Sequence, residues 1–232
     1  MSTTSSAAIG RAAPDRASRL ASWTGVAFIV SFVASTVVSS PPRDSVSNAR
    51  WIASYTGDGN QEQHLATGVL LIVAGLCLAA FLTQIWSMVE ARGERRISPL
   101  PVVGASIAAA CMAVGGALMG VVSGDTLIGS SPLPGADLLR FCNDLGFVMV
   151  GVPGMLAVSL TLAILSIQAH AVGLFGTRMR WFTLAVAIIL LGSFEFFPIA
   201  ALLIWVIAAA IALPRGAAAR SVAPQARIAR AG

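Results

Sequence analysis

His64, Asp125, Arg140, Asn143, Asp144 and Glu195 are the residues of this chain best suited by type and position to do chemistry. Each stands at the edge of a long apolar run, and the topology read below brings all six to one level. Ionisable groups held beside hydrocarbon are costly, so they are commonly paired or turned towards a cavity. A small polar pocket or a proton-linked site is the chemistry such a set would support, with Glu195 and Asp144 its best candidates. The plainer alternative is that these groups cap helices and meet water. Asp144, for one, stands where the dipole of a helix N-terminus favours a carboxylate.

Other reactive types are scattered. His64 and His170 fall at opposite ends of their spans, so they cannot share a metal or a haem. Beside Gln61, Glu62 and Gln63, His64 reads as a solvated loop histidine rather than a surface metal ligand. Cys77, Cys111 and Cys142 form no C-x-x-C pair and read as small apolar packing residues. The sequence carries no H-E-x-x-H, no G-x-S-x-G, no phosphate-binding glycine loop and no basic nucleic-acid motif. The expectation is therefore no metal, no cofactor, no catalytic residue and no nucleic-acid partner.

Spacing says more about packing. Gly116, Gly120 and Gly124 recur every four residues beside a row of Ala105, Ala109, Ala113 and Ala117. Residues four apart share a helix ridge, and small ones let a second backbone approach closely, which is how membrane helices gain dispersion contacts. This helix should be central, its glycine face serving internal packing in preference to a homodimer or another membrane-protein partner. Further on, Gly146, Gly151, Pro153 and Gly154 predict a kink at Pro153, because proline removes a backbone bond. Kinks serve packing, and they also occur where transport helices bend.

The elements that must position these residues follow from composition. Hydrophobic residues make up 56% of the chain and charged residues 11%, against roughly 25% charged in an average soluble domain. Mean hydropathy is +0.83. Apolar runs at 23–39, 65–86, 100–122, 145–168, 181–194 and 197–213 predict an all-α, polytopic transmembrane bundle of six spans. That bundle would occupy residues 21–214, between mobile cytoplasmic segments at 1–20 and 215–232. The last two runs are nearly continuous, but the break at Phe194-Glu195-Phe196-Phe197-Pro198 predicts a short helical hairpin, since Pro198 suits a first turn and not a helix interior.

All of the basic residues are arginine, and their placement orients the bundle. Arg11, Arg16, Arg19, Arg92, Arg95, Arg96, Arg178, Arg180, Arg215, Arg220, Arg227 and Arg230 fall on one side of the six spans, leaving Arg43, Arg50 and Arg140 opposite. Basic residues are retained in the cytoplasm, so both termini are expected inside. Trp23, Trp86 and Trp181 stand at three inner span ends, where indoles prefer the headgroup boundary. The first run is longer than a signal-peptide core and lacks a small-residue cleavage site, so it is expected to remain as an anchor. Ala49 to Tyr55, in the largest outer loop, is read as a short surface helix.

The Arg50-Trp51-Ile52-Ala53-Ser54-Tyr55 stretch, a second span ending Phe81-Leu82-Thr83-Gln84-Ile85-Trp86, a proline-containing fourth span and a closing Leu202-Leu203-Ile204-Trp205-Val206-Ile207 together resemble bacterial six-helix membrane proteins of unknown function. That likeness, over about residues 20–214, implies the fold and an inner-membrane location and brings no catalytic residues. The leading expectation is a non-enzymatic accessory or structural subunit, or a bundle binding lipid or another small ligand. The alternatives are a small proton-linked transporter and a membrane-embedded lipid-modifying enzyme using the outer carboxylates.

Overall fold

In hydrocarbon a backbone amide finds no hydrogen-bond partner outside its own segment, so apolar runs of this length close their bonds as helices. The computed structural model describes residues 6–38, 46–56, 59–93, 97–192 and 197–228, with side chains over 18–38, 46–56, 59–93, 97–192 and 198–213. Every regular element among these is helical: α1 (Ser6–Val38), α2 (Asn48–Thr56), α3 (Asn60–Glu90), α4 (Leu100–Ile128), α5 (Ala136–Met149), a π-helical turn (Val150–Gly154), α6 (Met155–Ala171), α7 (Thr177–Leu191) and α8 (Phe197–Ile228).

Four units are long and apolar enough to cross a membrane: Ser18–Val38 of α1, all of α3, all of α4, and the continuous Ala136–Ala171. The 31 residues of α3 make a rod of about 46 Å, longer than the roughly 30 Å of bilayer hydrocarbon. Its ends therefore have room to stand beyond the apolar slab, His64 at one and Glu90 at the other. The last two apolar runs belong to shorter helices, α7 and the Pro198–Leu213 part of α8. α7 stops at Leu191 and α8 starts at Phe197, which puts Pro198 in a first helical turn, where its missing N–H costs nothing. Helix also reaches into both terminal segments, from Ser6 and as far as Ile228; these stretches lack apolar periodicity but are rich in alanine, the strongest helix former.

Neighbouring helices run antiparallel and are tied by hydroxyls that bridge to the next backbone. Ser22 Oγ donates to the Ala210 carbonyl at 3.1 Å, joining α1 to α8. Ser159 Oγ donates to the Ala187 carbonyl at 2.6 Å, joining α6 to α7. Between α7 and α8, Trp205 Nε1 donates to Thr183 Oγ1 at 2.9 Å. Phe28, Phe81, Leu82, Met112, Leu162 and Trp205 are fully buried among these helices. Leu76, Leu160, Ile188 and Ile204, by contrast, are each more than half exposed. An apolar exterior of this kind suits lipid tails and not water.

The closest approach is between α3 and α4. A Cβ on Gly116 would come within 2.5 Å of the Gly68 carbonyl oxygen, so the two backbones touch. The other side of α4 meets α5 in the same way, where a Cβ on Gly115 would lie 2.8 Å from the Gly146 carbonyl. Helix α4 is thus flanked by glycine contacts on two sides, between α3 and α5, while Val103, Ile107, Val114 and Val121 leave it an exposed apolar face. At Pro153 the chain opens into the π turn, and the Met155 amide reaches back five residues to the Val150 carbonyl. Proline offers no amide hydrogen to an α-helical ladder and its ring crowds the preceding turn, which accounts for the wider coil.

At the arginine-rich end, the Ser98 carbonyl accepts from both Trp86 Nε1 at 3.0 Å and Gln168 Nε2 at 3.3 Å. Trp86 is therefore tied into the protein and half-buried, whereas Trp23 and Trp181 are largely exposed, as a boundary indole should be.

Candidate functional site

The opposite end of the bundle is covered by α2. Its nine residues place Trp51 and Tyr55 four apart on one face, and that face is buried, with Trp51 fully enclosed. Leu139 and Ala136 of α5 close against the two rings, and Val122 of α4 packs beside them. The expected surface helix is present, with the Trp51 and Tyr55 face buried on protein and Asn48, Ala49, Arg50, Ile52 and Ala53 exposed.

Two residues from other helices hold it down. His64, at the start of α3, stacks face to face on Tyr55, with ring centres 4.0 Å apart and planes 8° from parallel. Its Nε2 lies 3.3 Å from the Ser54 carbonyl. From α5, Arg140 donates Nη1 to Asn48 Oδ1 at 2.6 Å and Nη2 to the Val46 carbonyl at 2.8 Å. Its guanidinium also stands 5.7 Å from the centre of the Trp51 ring, within cation–π range. Burial pushes the Tyr55 hydroxyl up to about 12, so it stays neutral at physiological pH.

Hydrogen bonding is incomplete beneath this cover. Among the described residues, Trp51 Nε1, Arg140 Nε, Ser123 Oγ and Thr67 Oγ1 are buried and have no hydrogen-bond partner. Thr67 is one turn along α3 from His64, and Ser123 follows Val122 on α4. Unmet buried polar atoms are rare in native proteins. Gln84 Oε1, Gln168 Oε1 and Arg180 Nε are in the same condition at the arginine-rich end. What sets the α2 end apart is that two unmet donors, Arg140 Nε and Trp51 Nε1, belong to side chains in contact.

The remaining candidates from the sequence are distributed around this end. Asn143 is buried on α5, and its Nδ2 lies 3.5 Å from Asp144 Oδ1. Asp144 itself is exposed. Asp125, also exposed, lies on the far side of α4 at the mouth of a groove of about 570 Å³ between α3 and α4. Leu65, Gly68, Val69 and Ile72 form one wall of that groove, and Gly116, Ala117, Gly120, Val121 and Gly124 form the other. Glu195 lies outside the described residues. His64 and Arg140 are therefore brought together through α2, while Asp125 opens on the groove and Asp144 on the surface.

Trp51 and Tyr55 are the members of the site that types alone did not single out. An aromatic pair four residues apart in an otherwise polar loop was the available signal, and it shows that one face is covered without showing by what. The described residues hold no group of three or more His, Cys, Asp or Glu that could bind a metal ion. Comparison with known protein families, curated proteins and solved structures finds no match to this chain, so its chemistry is read from its own geometry.

Proposed function

We propose that this is a non-enzymatic, multi-pass protein of the bacterial cytoplasmic membrane that holds one lipid acyl chain in the groove between α3 and α4. The groove carries the reading. It extends along α4 from Gly116 to Gly129, about 20 Å, a length that suits an extended chain, and its walls are glycine, alanine and branched aliphatic residues with a polar group only at the Asp125 end. Gly120 and Gly124 place no side chain in it, and a Cβ at either would meet nothing nearer than 3.6 Å.

Orientation follows the arginines, with the α2 end outside and both termini in the cytoplasm. This holds whether α7 and α8 complete a fifth and sixth crossing or re-enter as a shallow hairpin, because either path returns the tail to the same face. Short spans of this kind are accommodated by local thinning of the bilayer. A second reading, a small proton-linked carrier, draws support from the π turn at Val150–Gly154, since such turns recur at functional bends.

Ala117→Phe tests the acyl-chain reading, because Ala117 is an exposed part of the groove wall and a phenyl ring there fills the groove without entering the core. Native mass spectrometry of the full chain released from nanodiscs should show wild type retaining one lipid, and the variant retaining about tenfold less at unchanged melting temperature. Equal retention by both proteins would overturn the reading.

A further inference from the structure

We propose that the cluster where α2 meets α5 is a binding site for a phosphoryl group, which takes the place of the acceptors that α2 and its approach now give to Arg140. The inference does not depend on the α3–α4 groove. Three observations carry it.

The first is unspent donor capacity. Arg140 Nε and Trp51 Nε1 are both buried without an acceptor among the described residues, although they belong to side chains already in contact. A guanidinium and an indole can only donate, so what is missing is an oxygen-rich acceptor. The hydroxyls of Ser123 and Thr67 are similarly unmet and can serve either role.

The second is charge. Arg140 is only 23% exposed, and the carboxylate within ion-pair distance of it among the described residues is Asp137, 3.6 Å away and 92% exposed; Asp144, one turn along α5, is exposed as well. Solvent screens such a pair. The described buried residues include no Asp or Glu, so nothing acidic is enclosed to repel an anion. A planar guanidinium that is always charged matches phosphate oxygens better than it matches the neutral acceptors it now holds.

The third is the latch itself. The acceptors that α2 and its approach give to Arg140 are Asn48 Oδ1 and the Val46 carbonyl. A phosphoryl group can replace both and also satisfy Nε, so binding is an exchange of acceptors around Arg140 with Trp51 still in place. The site lies where α3 begins, α4 ends and α5 begins, which is the headgroup level of a bilayer crossed by these helices.

The test is a titration of the full chain in a phosphate-free buffer with uncharged detergent, using inorganic phosphate in one arm and dihexanoyl phosphatidic acid in the other. Saturable binding is expected, weakened at least about 30-fold by Arg140→Gln and about threefold by Trp51→Phe, which keeps the ring and removes the N–H. Asn48→Ala is the discriminating variant. It removes the acceptor that competes for Arg140 Nη1 and should tighten binding about threefold, whereas mere loss of structure would weaken it. Binding in both arms, or in the phosphate arm alone, assigns the site to the phosphoryl group itself; binding of the lipid alone assigns it to a headgroup. Absence of binding in both arms, or binding indifferent to Arg140→Gln and Asn48→Ala, would overturn the proposal.

Discussion

Gly116→Ala is expected to destabilise the bundle by about 2–3 kcal/mol, although it adds a single methyl group. The new Cβ would lie 2.5 Å from the Gly68 carbonyl oxygen and 3.0 Å from Ile72 Cγ1. The first of these is backbone, so it cannot rotate away, and α3 must separate from α4 along its length. In a membrane this seam is held by dispersion and not by exclusion of water, so lost contact has no compensating hydrophobic term. Gly124→Ala, eight residues along the same helix, should behave in the opposite way. Its nearest neighbour would be Leu65 Cδ1 at 3.6 Å, an ordinary contact, and replacing a helical glycine removes backbone entropy worth up to about 1 kcal/mol. Steric-trap or denaturant unfolding in mixed micelles measures both. Equal effects at the two positions would show that the α3–α4 contact is not where it is described.

The second large effect belongs to Trp205. It is fully buried, meets Phe81 edge-to-face with ring centres 5.9 Å apart, and donates to Thr183 Oγ1. Three helices, α3, α7 and α8, therefore converge on one indole. Trp205→Ala should cost about 3 kcal/mol, mainly through the cavity left behind. Trp205→Phe separates the contributions, since it keeps an aromatic ring against Phe81 and loses only the hydrogen bond, for about 0.6 kcal/mol. The same unfolding assay reads both variants. A Trp205→Phe loss as large as that of Trp205→Ala would mean that the hydrogen bond, and not the ring, holds α8 in place.

Lipid made much of this fold legible in advance. Four of the apolar runs are long enough to span as helices, the conformation that satisfies backbone amides within a single continuous segment. The last two runs were ambiguous for a physical reason: 15 residues in α7 fall short of a full crossing, so length no longer decides. The row of Gly116, Gly120 and Gly124 was readable as a ridge, but which of them meet backbone, Gly116 and Gly120 and not Gly124, is set by Gly68 on another helix. Gly115 belongs to no four-residue row with the others, so its contact with Gly146 left no periodic signal.

The site was less legible than the fold. Arg140 reads as one of three arginines on the sparse side, and nothing local to it says that it reaches 92 residues back to Asn48. His64 looked solvated among Gln61, Glu62 and Gln63, yet it is buried because Tyr55 closes over its face. In both cases the missing information was the docking of α2, which is tertiary. The carboxylates were the reverse case. Asp125 and Asp144 stood out by chemical type, and the structure leaves both exposed.

A matched pair of cysteines tests the central claim most directly. Gly135 and Gly176 each precede a helix, at opposite ends of the bundle, have negative φ, and face open space where a side chain would go. In a background with Cys77, Cys111 and Cys142 replaced, each is changed singly to cysteine and treated with a membrane-impermeant maleimide on intact cells. A chain that crosses the bilayer with its arginine-rich end inside gives labelling of Gly135→Cys at once, and of Gly176→Cys only after permeabilisation. Labelling of both in intact cells, or of Gly176→Cys alone, would contradict it.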